Sequence, residues 1–224
     1  MGTLYIVATP IGNLEDITIR ALRVLKEVDG ILCEDTRVTK KLLDRFDIHT
    51  ATISYHQHSR LQKVEEILGL ISQGKSIALV SDAGTPGISD PGNQLVQEVA
   101  EQLPEVSIVP IPGVSAVGAL ASVSGFPMDR FVFLGFPPVK KGRNKFFQEI
   151  VQAEYPVIFY ESPFRIRKAL TELQNMPNGK IVVGRELTKK FETIYRGTVE
   201  QVLAQLGKEQ ERGEFVVAVW KSKT

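Results

Sequence analysis

The sequence predicts an α/β protein with a mostly parallel sheet in its first half and a mixed sheet in its second. Three observations lead there. Short β-branched and apolar segments alternate with helical patterns up to Pro110, the signature of strand–helix–strand units with helices on both faces of a sheet. That alternation breaks at Pro110-Ile111-Pro112-Gly113. Beyond the break, the late strand-like segments follow one another too closely for a helical crossover between each pair.

Residues 4–8 form the first expected strand. A helix over 17–28 places Ile17, Ala21, Val24 or Leu25, and Val28 on one face. Strand 30–33 follows, then a helix over 36–46 opened by the capping-type Thr36. Strand 50–54 leads to a helix over 59–71 with Leu61, Val64, Ile67, Leu68 and Ile71 at helical spacing, and then come strands 76–80 and 106–109. The pattern assigns no element to 93–105. A helix rich in small residues over 114–124 opens the second half. Strands at 131–136, 157–161, 181–185, 192–196 and 215–221 then alternate with helices near 144–153, 164–175 and 199–207. Two domains, 1–113 and 114–224, are expected.

Bulk properties exclude several classes. No apolar run approaches the roughly 20 residues of a membrane span, and the N-terminus lacks the basic flank of a secretion signal, so cytoplasmic residence is expected. The single Cys33 excludes an internal disulfide framework and any multi-cysteine metal site. Net charge is +1, but residues 126–224 carry 17 basic and 11 acidic side chains against 10 and 15 in residues 1–125. A polyanionic partner would be steered to the second half.

Chemistry-bearing residues collect where strands end. The run Ser81-Asp82-Ala83-Gly84-Thr85-Pro86-Gly87-Ile88-Ser89-Asp90-Pro91-Gly92 leaves the 76–80 strand, and its glycines and prolines continue neither strand nor helix. It reads as a rigid loop against which a ligand sits. Other strand exits carry Thr9-Pro10-Ile11-Gly12-Asn13-Leu14-Glu15-Asp16, Glu34-Asp35-Thr36-Arg37 and Pro112-Gly113-Val114-Ser115-Ala116, and open α/β sheets bind ligands at that edge. No dinucleotide or triphosphate fingerprint is present. Amino, sulfonium and ribose groups suit the edge better than a polyphosphate. Glu34-Asp35-Thr36-Arg37 equally reads as a helix start with Thr36 as cap. Tyr55-His56-Gln57-His58 lacks a third ligand and is not taken as a metal site. Lys140-Lys141-Gly142-Arg143-Asn144-Lys145-Phe146-Phe147 reads either as a phosphate-binding segment or as a solvated helix start with Phe146 and Phe147 in the core. Tyr160-Glu161-Ser162-Pro163-Phe164-Arg165 and Arg185-Glu186-Leu187-Thr188-Lys189 mark two further exits.

These motifs, in this order and with Ser54-Tyr55-His56, resemble the tetrapyrrole-methylase superfamily and, within it, the bacterial ribosomal RNA small subunit methyltransferase I family. The resemblance spans essentially the whole chain. It implies a two-domain fold, S-adenosylmethionine as methyl donor in a cleft between domains, and a homodimer. The reaction it implies is 2′-O-methylation of a cytidine ribose in the decoding region of 16S rRNA, within the 30S subunit. By position it implies donor contacts from Pro10, Ile11, Asp82, Ala83, Gly84, Thr85, Ser115, Ala116, Tyr160 and Leu187. Acids and cations at the strand exits suggest that Glu34, Asp35 or Glu186 accepts the ribose proton while Arg37 or Lys189 orients the ribose and its phosphate. Charge alone adds the 140–145 segment, Arg165 and Arg167 as RNA phosphate contacts. The chain ends at Thr224, where many relatives continue into a helical segment. The alternatives are a tetrapyrrole or diphthine methylase and a non-catalytic RNA-binding module.

Overall fold

The pleat sends successive side chains of a strand to opposite faces, so a parallel sheet that is apolar at every position must be covered on both sides. In the computed structural model, which describes residues 2–56, 61–90, 92–174, 179–207 and 212–221, five strands form a parallel sheet. They are β1 (Thr3–Val7), β2 (Gly30–Cys33), β3 (Thr52–Ser54), β4 (Ile77–Leu79) and β5 (Ser107–Ile111), and the central strands β2 and β4 are buried at every position. Their order is β3-β2-β4-β1-β5 and every pairing is parallel. Leu4, Leu32, Ile77 and Leu79 form one core with Val64, Ile67 and Ile71 of α3 (Leu61–Ser72) and Leu95 and Val99 of α4 (Gly92–Gln102). The intervening residues Val7, Ile31, Cys33 and Ala78 form the other, with Ala21, Val24 and Leu25 of α1 (Ile19–Glu27) and Leu43 of α2 (Thr36–Arg45).

Several boundaries differ from the expectation, each for a local reason. The Thr18 hydroxyl accepts the Ala21 N–H, so α1 starts at Ile19 and not at 17. The cap of α2 is Asp35, whose carboxylate accepts the Arg37 N–H, and not Thr36. Helix α4 was absent from the expected pattern because its buried residues are few: Gly92, Leu95 and Val99. Strand β5 runs through Pro110, opposite Ile6 of β1. It is an edge strand, where a residue without an N–H is tolerated. Gln57 and His58, residues 59–60 at the start of the third expected helix, Pro91 in the loop and Asn175 lie outside the described residues.

The chain divides into two compact units, Met1–Ser115 and Ala116–Thr224. In the second, α5 (Ala116–Ser124) is followed by β6 (Val132–Phe133), α6 (Arg143–Gln152), β7 (Val157–Glu161), α7 (Ile166–Glu172), β8 (Gly179–Arg185), β9 (Thr193–Gly197), α8 (Val199–Gln205) and β10 (Phe215–Lys221). The sheet is mixed, in the order β6-β7-β10-β8-β9, with β6 parallel to β7 and the other neighbours antiparallel. One face carries Val157, Phe159, Ile181, Val183, Phe215, Val217 and Val219, packed against α6, α7 and α8. Helix α5 packs against β8 and β10. No helix among the described residues is long and apolar enough to cross a membrane.

Candidate active site

The topology of the first unit opens its sheet around β4. Strands β1 and β2, the two neighbours of β4, lead into α1 and α2 on one face, whereas β4 leads into α4 on the other. Chains that diverge in this way leave crevices at the carboxyl ends of the strands, where such sheets take ligands. Two exit loops then lock together: the Thr9 N–H donates to Gly84 O at 2.9 Å and the Gly84 N–H to Thr9 O at 3.0 Å. Beneath them the buried Thr9 hydroxyl donates to Ser81 O at 3.0 Å, and the Ser81 hydroxyl to Gly84 O at 3.2 Å. Gly84 has φ +83, a left-handed conformation that side chains resist.

The rest of the Gly-Pro loop is fastened by its own side chains. Asp90 Oδ1 accepts the N–H groups of Gly87 and Gly92 at 2.7 and 2.8 Å, and Asn93 Nδ2 donates to Gly87 O at 2.9 Å. Asp82 reaches sideways instead, where its Oδ1 accepts the Asp35 N–H at 3.2 Å and ties the β4 exit to the β2 exit. At the β5 exit Gly113 lies so close to Ala8 that a Cβ placed on it would sit 2.8 Å from the Ala8 Cβ. Gly113→Ala is therefore expected to force the β1 and β5 exits apart and lower stability by about 1–3 kcal/mol, read from urea unfolding.

Four carboxylates dominate the electrostatics of this edge. Burial, followed by the negative charges of Asp82 and Asp90, pushes the Glu34 carboxyl above its ordinary value, with His56 acting the other way. Asp35 moves oppositely, held at about 2 by the Arg37 side chain and N–H. That pairing is bidentate, Arg37 Nε to Oδ1 at 3.0 Å and Nη2 to Oδ2 at 2.7 Å, and leaves the guanidinium well exposed. Burial raises the Cys33 thiol, so it stays protonated and unreactive. Among the described residues no group of three or more His, Cys, Asp or Glu could hold a metal ion.

The structure thus gathers Pro10, Ile11, Asp82, Ala83, Gly84, Thr85, Glu34, Asp35 and Arg37 at the carboxyl edge of the first sheet. Ser115 ends that unit, and the carbonyl of its neighbour Val114 also approaches Gly84. Ala116, Tyr160, Glu186, Leu187 and Lys189 belong to the second unit. Tyr160, near the end of β7, stacks edge-on to Phe133 at 5.0 Å and against Phe136 at 5.3 Å. After β8, Leu187 is buried between two residues of positive φ, Glu186 at +51 and Thr188 at +66. That turn is held by charge. Lys189 Nζ lies 2.9 Å from Glu186 Oε1 and 2.9 Å from Glu214 Oε2, and Glu186 Oε1 also accepts the Glu214 N–H at 2.9 Å. Burial pushes the Glu186 carboxyl up, but the Glu214 N–H and Lys189 outweigh it and leave it below its ordinary value.

Three arginines expected to meet RNA phosphate are engaged elsewhere. Arg143 is 4% exposed; its Nε donates to Glu172 at 2.8 Å and its Nη1 to Pro138 O at 3.2 Å. Its Nη1 also lies 3.6 Å from Glu161 Oε2. Arg165 Nε pairs with Glu161 Oε1 at 2.9 Å, and Arg167 Nη2 donates to Leu206 O at 2.6 Å. The 140–145 segment is therefore divided. Arg143, and Phe147 just beyond the segment, turn inward, while Lys140, Lys141 and Lys145 stay exposed. Sequence reasoning missed this because its signal is a partner, Glu161, far away in the chain.

A profile of the tetrapyrrole (corrin/porphyrin) methylases matches residues 3–203, and the chain belongs to that family. Its relatives include proteins named ribosomal RNA small subunit methyltransferase I. That of Synechocystis sp. is 46% identical over 98% of this chain and 79% of its own length. That of Thermotoga maritima is 42% identical over 98% of both chains. Among solved structures, diphthine synthase superposes with a TM-score of 0.75 at 14% identity, covering 100% of this chain and 92% of that one. The methyltransferase CobJ gives 0.71 at 19% identity, covering 99% and 95%. Both likenesses concern the fold.

Methylases of this family use S-adenosylmethionine. The first unit suits that donor. Its sulfonium and ammonium are cationic and its ribose hydroxyls need acceptors, and Asp82 and Asp90 supply negative charge at this edge, felt by Glu34. The Thr9–Gly84 bridge adds a rigid backbone wall with no side chain at Gly84.

Proposed function

We propose that this chain methylates the 2′-oxygen of a cytidine ribose in the decoding region of 16S rRNA, acting on the 30S subunit as a homodimer. The observation that carries this reading is 46% identity, over nearly the whole chain, to a protein named ribosomal RNA small subunit methyltransferase I. S-adenosylmethionine supplies a methyl group already activated by its sulfonium. Pro10, Ile11, Asp82, Ala83, Gly84, Thr85 and Ser115 hold the donor, and Ala116, Tyr160 and Leu187 of the second unit are proposed as further contacts. A ribose hydroxyl is a weak nucleophile, so the chain's task is to orient it and take its proton.

Glu34 is proposed for the proton. Its raised pKa makes it a better base than an ordinary carboxylate, whereas Asp35 is held near 2 and engaged with Arg37. Arg37, fixed by Asp35 yet exposed, is proposed to orient the phosphate. Glu186 and Lys189 are engaged with each other and with Glu214, and their proposed part is to hold the turn that carries Leu187. The test is transfer of labelled methyl from S-adenosylmethionine to 30S subunits taken from a strain lacking the gene. Label in 16S rRNA is the expected result. No label in 16S rRNA but transfer to a tetrapyrrole or a diphthine precursor supplied in a parallel reaction, or RNA binding without donor binding, would replace the reading.

A further inference from the structure

Glu161, the last residue of β7, has a side chain with no exposed surface, yet its partners come from two surface loops. Its Oε1 accepts the Ser162 N–H at 2.7 Å and pairs with Arg165, while Arg143 stands over Oε2 and donates to Pro138 O. Arg165 Nη1 also donates to Pro137 O at 3.4 Å, and the Tyr160 N–H to Gly135 O at 2.8 Å. The loop of residues 135–142 and the turn of residues 161–165 are thereby clamped side by side. What they display is apolar: Phe136 is 52% exposed, Val139 67% and Phe164 97%. Directly after Val139 come Lys140 and Lys141, and Lys145 follows in α6, all exposed.

A rigid turn that holds a phenylalanine almost wholly in water beside exposed cations has the makings of a nucleic-acid platform. Aromatic faces stack bases of any sequence, and lysines meet the backbone. We propose that this clamped pair of loops binds a single-stranded stretch of the RNA substrate, with bases on Phe164 and Phe136 and phosphates on Lys140, Lys141 and Lys145. The proposal rests on the RNA reading above. Charge complementarity favours RNA over an apolar protein partner, because three lysines beside the aromatics would be left without counter-charge against an apolar surface.

The test measures affinity of the full chain for 30S subunits from a strain lacking the gene, across a salt series, with S-adenosylmethionine binding followed separately by calorimetry. Phe164→Ala is expected to weaken RNA binding about tenfold with the salt slope unchanged, and Phe164→Trp to restore it. A variant carrying Lys140→Ala, Lys141→Ala and Lys145→Ala is expected to flatten the slope of log affinity against log salt by about 2. Unaltered RNA affinity in both variants would overturn the platform. A shift of Phe164→Ala from dimer to monomer in sedimentation, with RNA affinity per protomer intact, would also overturn it and make the patch a protein interface. Failure of the unaltered chain to bind S-adenosylmethionine would strike the functional reading instead, and leaves the RNA comparison readable.

Discussion

Replacing Glu34 with glutamine is expected to lower the rate of methyl transfer by about 10²–10⁴-fold, the range removed with a general base, while S-adenosylmethionine still binds. Glutamine keeps the shape and the hydrogen bonding but accepts no proton. The pH profile supplies the finer check. A base must be ionised, so activity rises as pH rises through the pKa of Glu34. Burial and the charges of Asp82 and Asp90 raise that pKa, which moves the acid limb of the wild-type profile upward from where an ordinary glutamate would put it. Glu34→Gln removes that limb from the residual activity. Asp35→Asn provides the contrast, since a carboxyl held at about 2 is ionised throughout the working range and contributes no limb there. A wild-type profile whose acid limb is missing, or lies below the ordinary glutamate value, would mean the proton leaves by another route.

Glu161→Gln is expected to destabilise the second unit by about 1–3 kcal/mol, measured by urea unfolding, because it removes one of the two carboxylates facing the buried Arg143 guanidinium and the ion partner of Arg165. Arg143 is 4% exposed and its remaining carboxylate, Glu172, is partly open to water. Its Nη2 lies 2.8 Å from Glu172 Oε2 but off the hydrogen-bond direction, and Glu161 Oε2 accepts no hydrogen bond among the described residues. The Arg143–Glu161 contact is held by charge and not by a hydrogen bond. Removing one partner then costs the unpaired charge of the other, whereas removing both relieves it. The double variant Arg143→Met with Glu161→Met is accordingly expected to be less destabilised than the sum of the two single changes. Strict additivity would show that the two charges do not interact.

Local pattern carries far in this chain where its signal is periodic. The alternating strands and helices of the first unit are legible because its central strands feed two cores, as Leu32 and Cys33 do from opposite faces of β2. The motifs at strand exits were legible for a related reason, since Gly84 and Gly113 stand where the backbone needs them. What escaped was non-local or aperiodic. Helix α4 offers only Leu95 and Val99 as its buried apolar pair, and Pro110 is a breaker except on an edge strand. Arg143 looked like one of a run of surface cations. Its burial is decided by Glu161, 18 positions on, which no window of the sequence joins to it. The same holds for Glu186 and Lys189, whose third partner Glu214 approaches from the start of β10.

Mapping the modified nucleotide tests the central claim most directly. After incubation of 30S subunits from a strain lacking the gene with this protein and S-adenosylmethionine, 16S rRNA is digested and the added methyl located by mass spectrometry. The proposal predicts one new methyl on the ribose of a cytidine in the decoding region, absent when the Glu34→Gln variant is used. A methyl on a base, or on a ribose elsewhere in the RNA, would contradict it.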